Sequence, residues 1–204
     1  MNIDKGLNHL KQVDEKMGFL IAEYEKPEFK KDLNYFEALV RAIVYQQLSG
    51  KAASKIYKRF NNLFPEKKHF TPIMVKKRSH EELRSTGLSN QKASYIHNIA
   101  NTFNTGSVPN DIETLGDNDI IEWLTTIKGV GPWTAEMFLM FTLNRPDVFP
   151  VTDLGIQKGF KLFFQLDEIP KPDKMIEKAE SWRPYRTLAS WYLWRLIELS
   201  LIHI

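Results

Sequence analysis

TIKGVGPWTAEM, residues 126–137, interrupts a strongly helical stretch with two glycines and a proline and then returns at once to helix. Gly129 and Gly131, two apart after a helix, open positive φ to the backbone and let it approach another molecule closely. Pro132 presets the first turn of the next helix, where a missing N–H costs nothing. The unpaired amides of that helix start, with the positive end of its dipole, form a seat for a phosphate. An ordinary turn between antiparallel helices uses the same residue types, so the surrounding sequence has to decide.

Outward from the hairpin the periodicity is helical almost throughout. Leu7, Leu10, Val13, Met17, Leu20 and Tyr24 fall at steps of three and four and predict one apolar stripe. Phe36, Leu39, Val40, Ile43 and Val44 repeat the pattern up to QQLSG at 46–50, where Ser49 caps a further helix that Pro65 ends. Thr71-Pro72 and the capping box Ser79-x-x-Glu82 start two short helices, and Gly87 closes the second. LSNQKASYIHNIANTF and DNDIIEWLTTI lead into the hairpin. AEMFLMFTL, LGIQKGFKLFF and a last helix over roughly 184–200 follow it, separated by the proline-rich loop NRPDVFPVTD. No period-two run of useful length occurs, so the predicted class is all-α.

Composition narrows the function classes. At 204 residues the chain fits one domain, or two packed subdomains. With 43% hydrophobic and 26% charged residues it has the make-up of a soluble globule. Zero cysteines exclude disulfides, thiolate zinc, cysteine-bound iron–sulfur clusters and a cysteine nucleophile. None of the five histidines has metal-ligand spacing. The net charge of +3 suits a polyanionic partner without requiring one. No apolar run reaches membrane-spanning length and the N-terminus lacks a signal-peptide core, so the expectation is an intracellular, cytoplasmic protein with no membrane partner.

LTTIKGVGPWTAEMFLM, followed some twenty residues on by the aspartate of VFPVTDLGIQKGF, resembles the helix-hairpin-helix, Gly/Pro-loop, Asp superfamily of DNA glycosylases, in its 3-methyladenine DNA glycosylase II branch. FEALVRAIVYQQLSGKAASKIYKRF at 36–60 and SWRPYRTLASWYLWRLIE at 181–198 agree with that branch. The resemblance covers nearly everything from about residue 30 onward. It implies a single glycosylase domain over 1–204, built as two helical subdomains around a central cleft. It also implies a helix-hairpin-helix over about 117–143, and the expectation is a chain without the β-rich N-terminal domain of some relatives. Lys128, Gly129, Val130, Gly131 and Pro132 then hold the DNA backbone, with a sodium or potassium ion accommodated at the hairpin carbonyls and no other cofactor required.

Asp153 follows a two-proline loop and begins a helix, where any aspartate serves as a cap. A helix start also stabilises the carboxylate form. A carboxylate beside a sugar C1′ stabilises the cationic state formed as a glycosidic bond breaks, or orients the attacking water. The resemblance makes Asp153 the catalytic residue and leaves Asp147, six residues earlier, as a loop acid. It places Trp133 where strand-cutting relatives carry a Schiff-base lysine, which implies a monofunctional glycosylase without lyase activity. Trp133 and Trp194 match its pocket positions, with Tyr45 and Tyr192 as further pocket residues. Met137 stands where relatives carry a tyrosine, which bears on base selectivity.

An extruded base needs aromatic walls, and the hole it leaves needs a plug. Ser49 and the 88–91 loop, with Ser89 and Asn90, are the plug candidates. Lys92, Lys128 and the basic stretch 67–84 lie near the expected interface. The expected activity is hydrolytic release of alkylated purines, 3-methyladenine and 7-methylguanine, from double-stranded DNA by a monomer in base excision repair. Uracil, hypoxanthine or mismatched bases are alternative substrates for the same fold, and a non-catalytic DNA clamp is the alternative of another class.

Overall fold

The computed structural model describes residues 1–32, 34–65, 69–109 and 111–200, with side chains through residue 197 in the last helix. Lys67 and Lys68 of the basic stretch lie outside the described residues. Twelve α-helices and one 3₁₀ turn make up the regular structure of the described residues, which contain no strand. The fold is all-α.

The chain divides into two compact units, one from Met1–Lys30 with residues 139–204, the other from Lys31–Phe138. In the second unit, helices α3 (Tyr35–Tyr45), α4 (Gly50–Asn61), α5 (Pro72–Lys76), α6 (His80–Ser85), α7 (Asn90–Asn104) and α8 (Asp117–Thr125) precede the hairpin. Their caps match the sequence signals. The Ser49 side chain accepts from the Ala52 amide, and Ser79 with Glu82 closes a full capping box. Gly87 takes a φ of +102° after α6, the left-handed turn that ends it. Phe60, Phe64 and Phe70 meet ring to ring, with Phe36 against Phe70, beside Val40, Ile43 and Ile96 in the buried set.

Helix α9 (Pro132–Phe141) carries the boundary between the units. The first unit contains α1 (Ile3–Val13), α2 (Glu15–Glu23), α10 (Leu154–Phe164), α11 (Pro172–Lys178), the 3₁₀ turn Glu180–Trp182 and α12 (Arg186–Ser200). Its core joins Leu7, Leu10 and Met17 to Phe149, Phe160, Trp182 and Leu188.

The single N-terminal stripe is in fact two helices. Asp14 leaves helical geometry at φ −150°, accepts from the Met17 amide through Oδ1 and takes the Trp182 indole N–H at 2.8 Å on Oδ2. The apolar steps of three and four run straight across this break, so periodicity alone could not show it. α11 was not read from the sequence either, although Pro172 stands at its start.

Candidate nucleic-acid interface and catalytic carboxylate

The hairpin belongs to the Lys31–Phe138 unit. Gly129 has a φ of +107°, and a Cβ there would overlap the Tyr95 ring of α7, so both backbone angle and space demand glycine. A Cβ at Gly131 would meet nothing within 4 Å, so the backbone is open on that side. Two side-chain amides hold the loop from behind. Asn98 Nδ2 donates to the Lys128 carbonyl at 3.0 Å, and Gln46 Nε2 donates to Thr134 Oγ1 at 2.9 Å and to the Gly129 carbonyl at 3.4 Å. Val130 is buried beneath the loop, whereas Lys128 and Pro132 are exposed.

A cavity of about 690 Å³ opens here, lined by Gln46, Gln47, Ser89, Gln91, Tyr95 and the run from Gly129 to Thr134. Trp133 forms part of its wall and is half-buried. Lys92 lines it too, but its ammonium points inward. It donates to the Val44 carbonyl at 2.8 Å and the Gln46 carbonyl at 2.6 Å, at the carbonyl end of α3. A cation there complements the helix dipole, and burial lowers its pKa from the usual lysine value.

The plug candidates have defined local roles. Ser49 and Ser89 are helix N-caps, accepting from the Ala52 and Lys92 amides, and the Asn90 Oδ1 meets His80 Nε2 at 2.7 Å. Gln47, which the sequence reading passed over, is exposed, lines the cavity and holds a left-handed φ of +54°. A non-glycine residue in that region marks stored strain, a property no sequence pattern displays. Tyr45 is half-buried, edge-on to Tyr57 at 6.4 Å, and Met137 is half-buried on α9.

Asp153 belongs to the other unit. It is the N-cap of α10: its Oδ1 accepts from the Ile156 amide at 2.8 Å and from the Trp194 indole N–H, also at 2.8 Å. Trp194 stacks on Phe141 (6.0 Å, 29°), and Phe141 stacks on Phe29 (5.7 Å, 12°). Sequence reasoning found Asp153 and Trp194 and missed Phe29 and Phe141, which carry no motif. Tyr192 requires a correction. It has no exposed surface at all, so it packs the core and offers no face to a base. Burial pushes its phenol up to about 12.

The loop that delivers Asp153 is pinned to the start of α12. Asp147 takes Arg186 on both carboxylate oxygens, at 2.6 and 3.0 Å, and pairs with Arg183 as well. Thr187 Oγ1 donates to the Arg145 carbonyl at 2.7 Å and accepts from the Val148 amide at 2.9 Å. Asp147 is thus a structural acid of the loop, and the bidentate Arg186 geometry is the strong form of such a pair.

An all-helical fold with a Gly/Pro hairpin and, one helix later, an aspartate capping the next helix defines a helix-hairpin-helix protein with a single preorganised carboxylate at that cap. The chain belongs to the HhH-GPD superfamily of base excision DNA repair proteins, whose family model matches residues 40–184. It is 34% identical to DNA-3-methyladenine glycosylase 1 of Schizosaccharomyces pombe, covering 98% of this chain and 90% of that protein. A putative DNA-3-methyladenine glycosylase of Bacillus subtilis is 32% identical, with 94% and 70% covered. Among solved structures, the S. pombe 3-methyladenine DNA glycosylase Mag1 in complex with abasic DNA superposes with a TM-score of 0.85 at 35% identity, covering 94% of this chain and 95% of that one.

Proposed function

We propose that the protein is a monofunctional DNA N-glycosylase of base excision repair that hydrolyses the glycosidic bond of alkylated purines, 3-methyladenine and 7-methylguanine, in duplex DNA. The observation that carries this reading is the Asp153 carboxylate, fixed at the start of α10 by one backbone and one indole donor. Alkylation at N3 or N7 places a positive charge on the base, which then leaves as a neutral molecule and needs little general-acid help. What remains is a cationic sugar, and a preorganised carboxylate stabilises it. Water adds at C1′ and loses its proton, and Asp153 orients it as general base.

Trp133 cannot form a Schiff base, so the product is an abasic site in an uncut strand. The relative solved with abasic DNA supports this, since that DNA is the product such hydrolysis leaves. The electron-rich faces of Trp194 and Phe141, stacked beside the carboxylate, suit a cationic base. The hairpin amides hold the backbone, and its carbonyls fit a weakly bound sodium or potassium ion. Lys128 and Gly129 each give one lone pair to a side-chain amide, and a carbonyl oxygen has two. No helix among the described residues is long and apolar enough to cross a membrane. The reading places the enzyme inside the cell with its duplex DNA, working as a monomer.

The test is release of free bases from methylated duplex DNA by wild type and Asp153→Asn, with nicks scored before and after alkali. The expected result is release that vanishes in the variant and nicks that require alkali. Nicks without alkali would refute the role given to Trp133, and excision confined to uracil among defined lesions would end the alkylpurine assignment.

A further inference from the structure

Gly155 is the second residue of α10, two after the carboxylate, and nothing about the helix calls for glycine there. Its φ lies outside the left-handed region, and alanine is the better helix former. Space is what it provides. A Cβ at 155 would lie 2.8 Å from Trp194 Cδ1, 3.0 Å from Trp194 Nε1 and 3.0 Å from Asp153 Oδ1. Those last two atoms are the donor and acceptor of the indole–carboxylate hydrogen bond. One turn further along the same face, Gly159 lets α10 approach α12 so closely that a Cβ would lie 2.9 Å from the Leu193 carbonyl carbon. The indole is backed by the Phe141 ring, itself backed by Phe29, so it has little freedom to retreat from an added methyl group.

A second aspartate of the same unit serves as an internal control. Asp14 also caps a helix and also accepts a tryptophan N–H, but its two donors fall on different oxygens, Met17 N on Oδ1 and Trp182 Nε1 on Oδ2. At Asp153 both donors converge on Oδ1. A cap needs only the backbone amide; the added indole fixes that oxygen from a second direction.

We propose that Gly155 and Trp194 are positioning residues for the catalytic carboxylate, the glycine leaving the slot through which the indole N–H reaches Asp153. The inference rests on Asp153 being the catalytic group. It also gives Trp194 a duty beyond that of an aromatic wall, because its only N–H is committed to Asp153.

Single-turnover base release at saturating enzyme, and half-saturation by methylated duplex, are measured for wild type, Gly155→Ala, Trp194→Phe, the double variant, Asp153→Asn and Asp14→Asn. Gly155→Ala and Trp194→Phe should each slow release by about 10- to 100-fold, the scale of a misplaced catalytic group, with half-saturation changed less than about threefold. The double variant should be no slower than the slower single variant, since both remove one bond. Asp14→Asn, which keeps a capping side chain, should release at the wild-type rate. Wild-type release by Gly155→Ala, or losses that multiply in the double variant, would overturn the inference. If thermal melting shows Gly155→Ala unfolded, Trp194→Phe decides, and wild-type release by it is the overturning result. Loss of release in Asp153→Asn with Gly155→Ala unaffected removes this inference alone. Full release by Asp153→Asn removes the catalytic assignment and this inference with it.

Discussion

Gly129 and Gly155 do different things in the two units of the chain. Gly129 is required by the backbone: its φ of +107° is closed to most side chains, and Tyr95 fills the space where one would project. Gly155 is required by its neighbours, in ordinary helical geometry, so that two side chains can meet across it. On the proposed reading, the hairpin unit works mainly through main-chain groups, whose positions are set locally by glycine and proline. The carboxylate unit works through side chains gathered from residues 29, 141, 153 and 194. In that proposal, main-chain groups hold DNA of any sequence and side chains perform the chemistry.

Substitutions in both units test that division. Asp153→Asn removes the charge but keeps a capping group, and base release should fall by about 100- to 1,000-fold, the range for losing one electrostatic stabiliser. Duplex affinity, read by fluorescence anisotropy, should stay close to wild type. Gly129→Ala is the mirror case. It should weaken duplex binding by about tenfold and lower stability in urea by about 1–3 kcal/mol, as overpacking does. Equal losses of binding in both variants would collapse the distinction.

Lys92→Met sharpens it further. Because Lys92 donates to the Val44 and Gln46 carbonyls, the dependence of log affinity on log salt should keep its wild-type slope. Lys128→Gln, at an exposed position of the hairpin, should reduce that slope by about 0.9, the value for one phosphate contact. A reduced slope for Lys92→Met would make Lys92 a phosphate ligand after all. The smallest effect concerns His97 in the hairpin unit, whose pKa is held below the ordinary 6.5 by burial and then by the nearby His80. The unfolded chain therefore binds the proton first, and stability present above pH 6.5 is lost as pH falls through the folded value. His97→Gln should flatten the decline of thermal stability as pH falls from 6.5 to the folded value.

The sequence announced what is local. The capping box at Ser79, the Gly87 turn, the hairpin and the Asp153 cap each depend on residues a few positions apart, and each stands where the pattern placed it. The break at Asp14 was hidden because apolar spacing continues through it, and one of the two donors that hold its carboxylate, Trp182, lies 168 residues away. The same limit applies to the partners of Asp153. Phe29 and Phe141 fall in an irregular segment and at the end of a helix, and only the fold makes them neighbours of Trp194. Tyr192 sits two residues from Trp194, yet one turns into the core while the other remains half-buried. Adjacent aromatic residues on a helix give no sign of which will do which.

The unit that carries Asp153 is interrupted in sequence, its first 30 residues completed only by residues 139–204. During synthesis, α1 and α2 emerge before the rest of their unit, with Leu7, Leu10 and Met17 lacking the Trp182 and Leu188 against which they finally pack. At about 5–20 residues per second, the ribosome leaves them waiting on the order of ten seconds. The intervening Lys31–Phe138 unit is contiguous and has its partners at hand as soon as it emerges. The hairpin is then in place before the Asp153 carboxylate is seated, and α1 and α2 are the helices left longest without their packing partners.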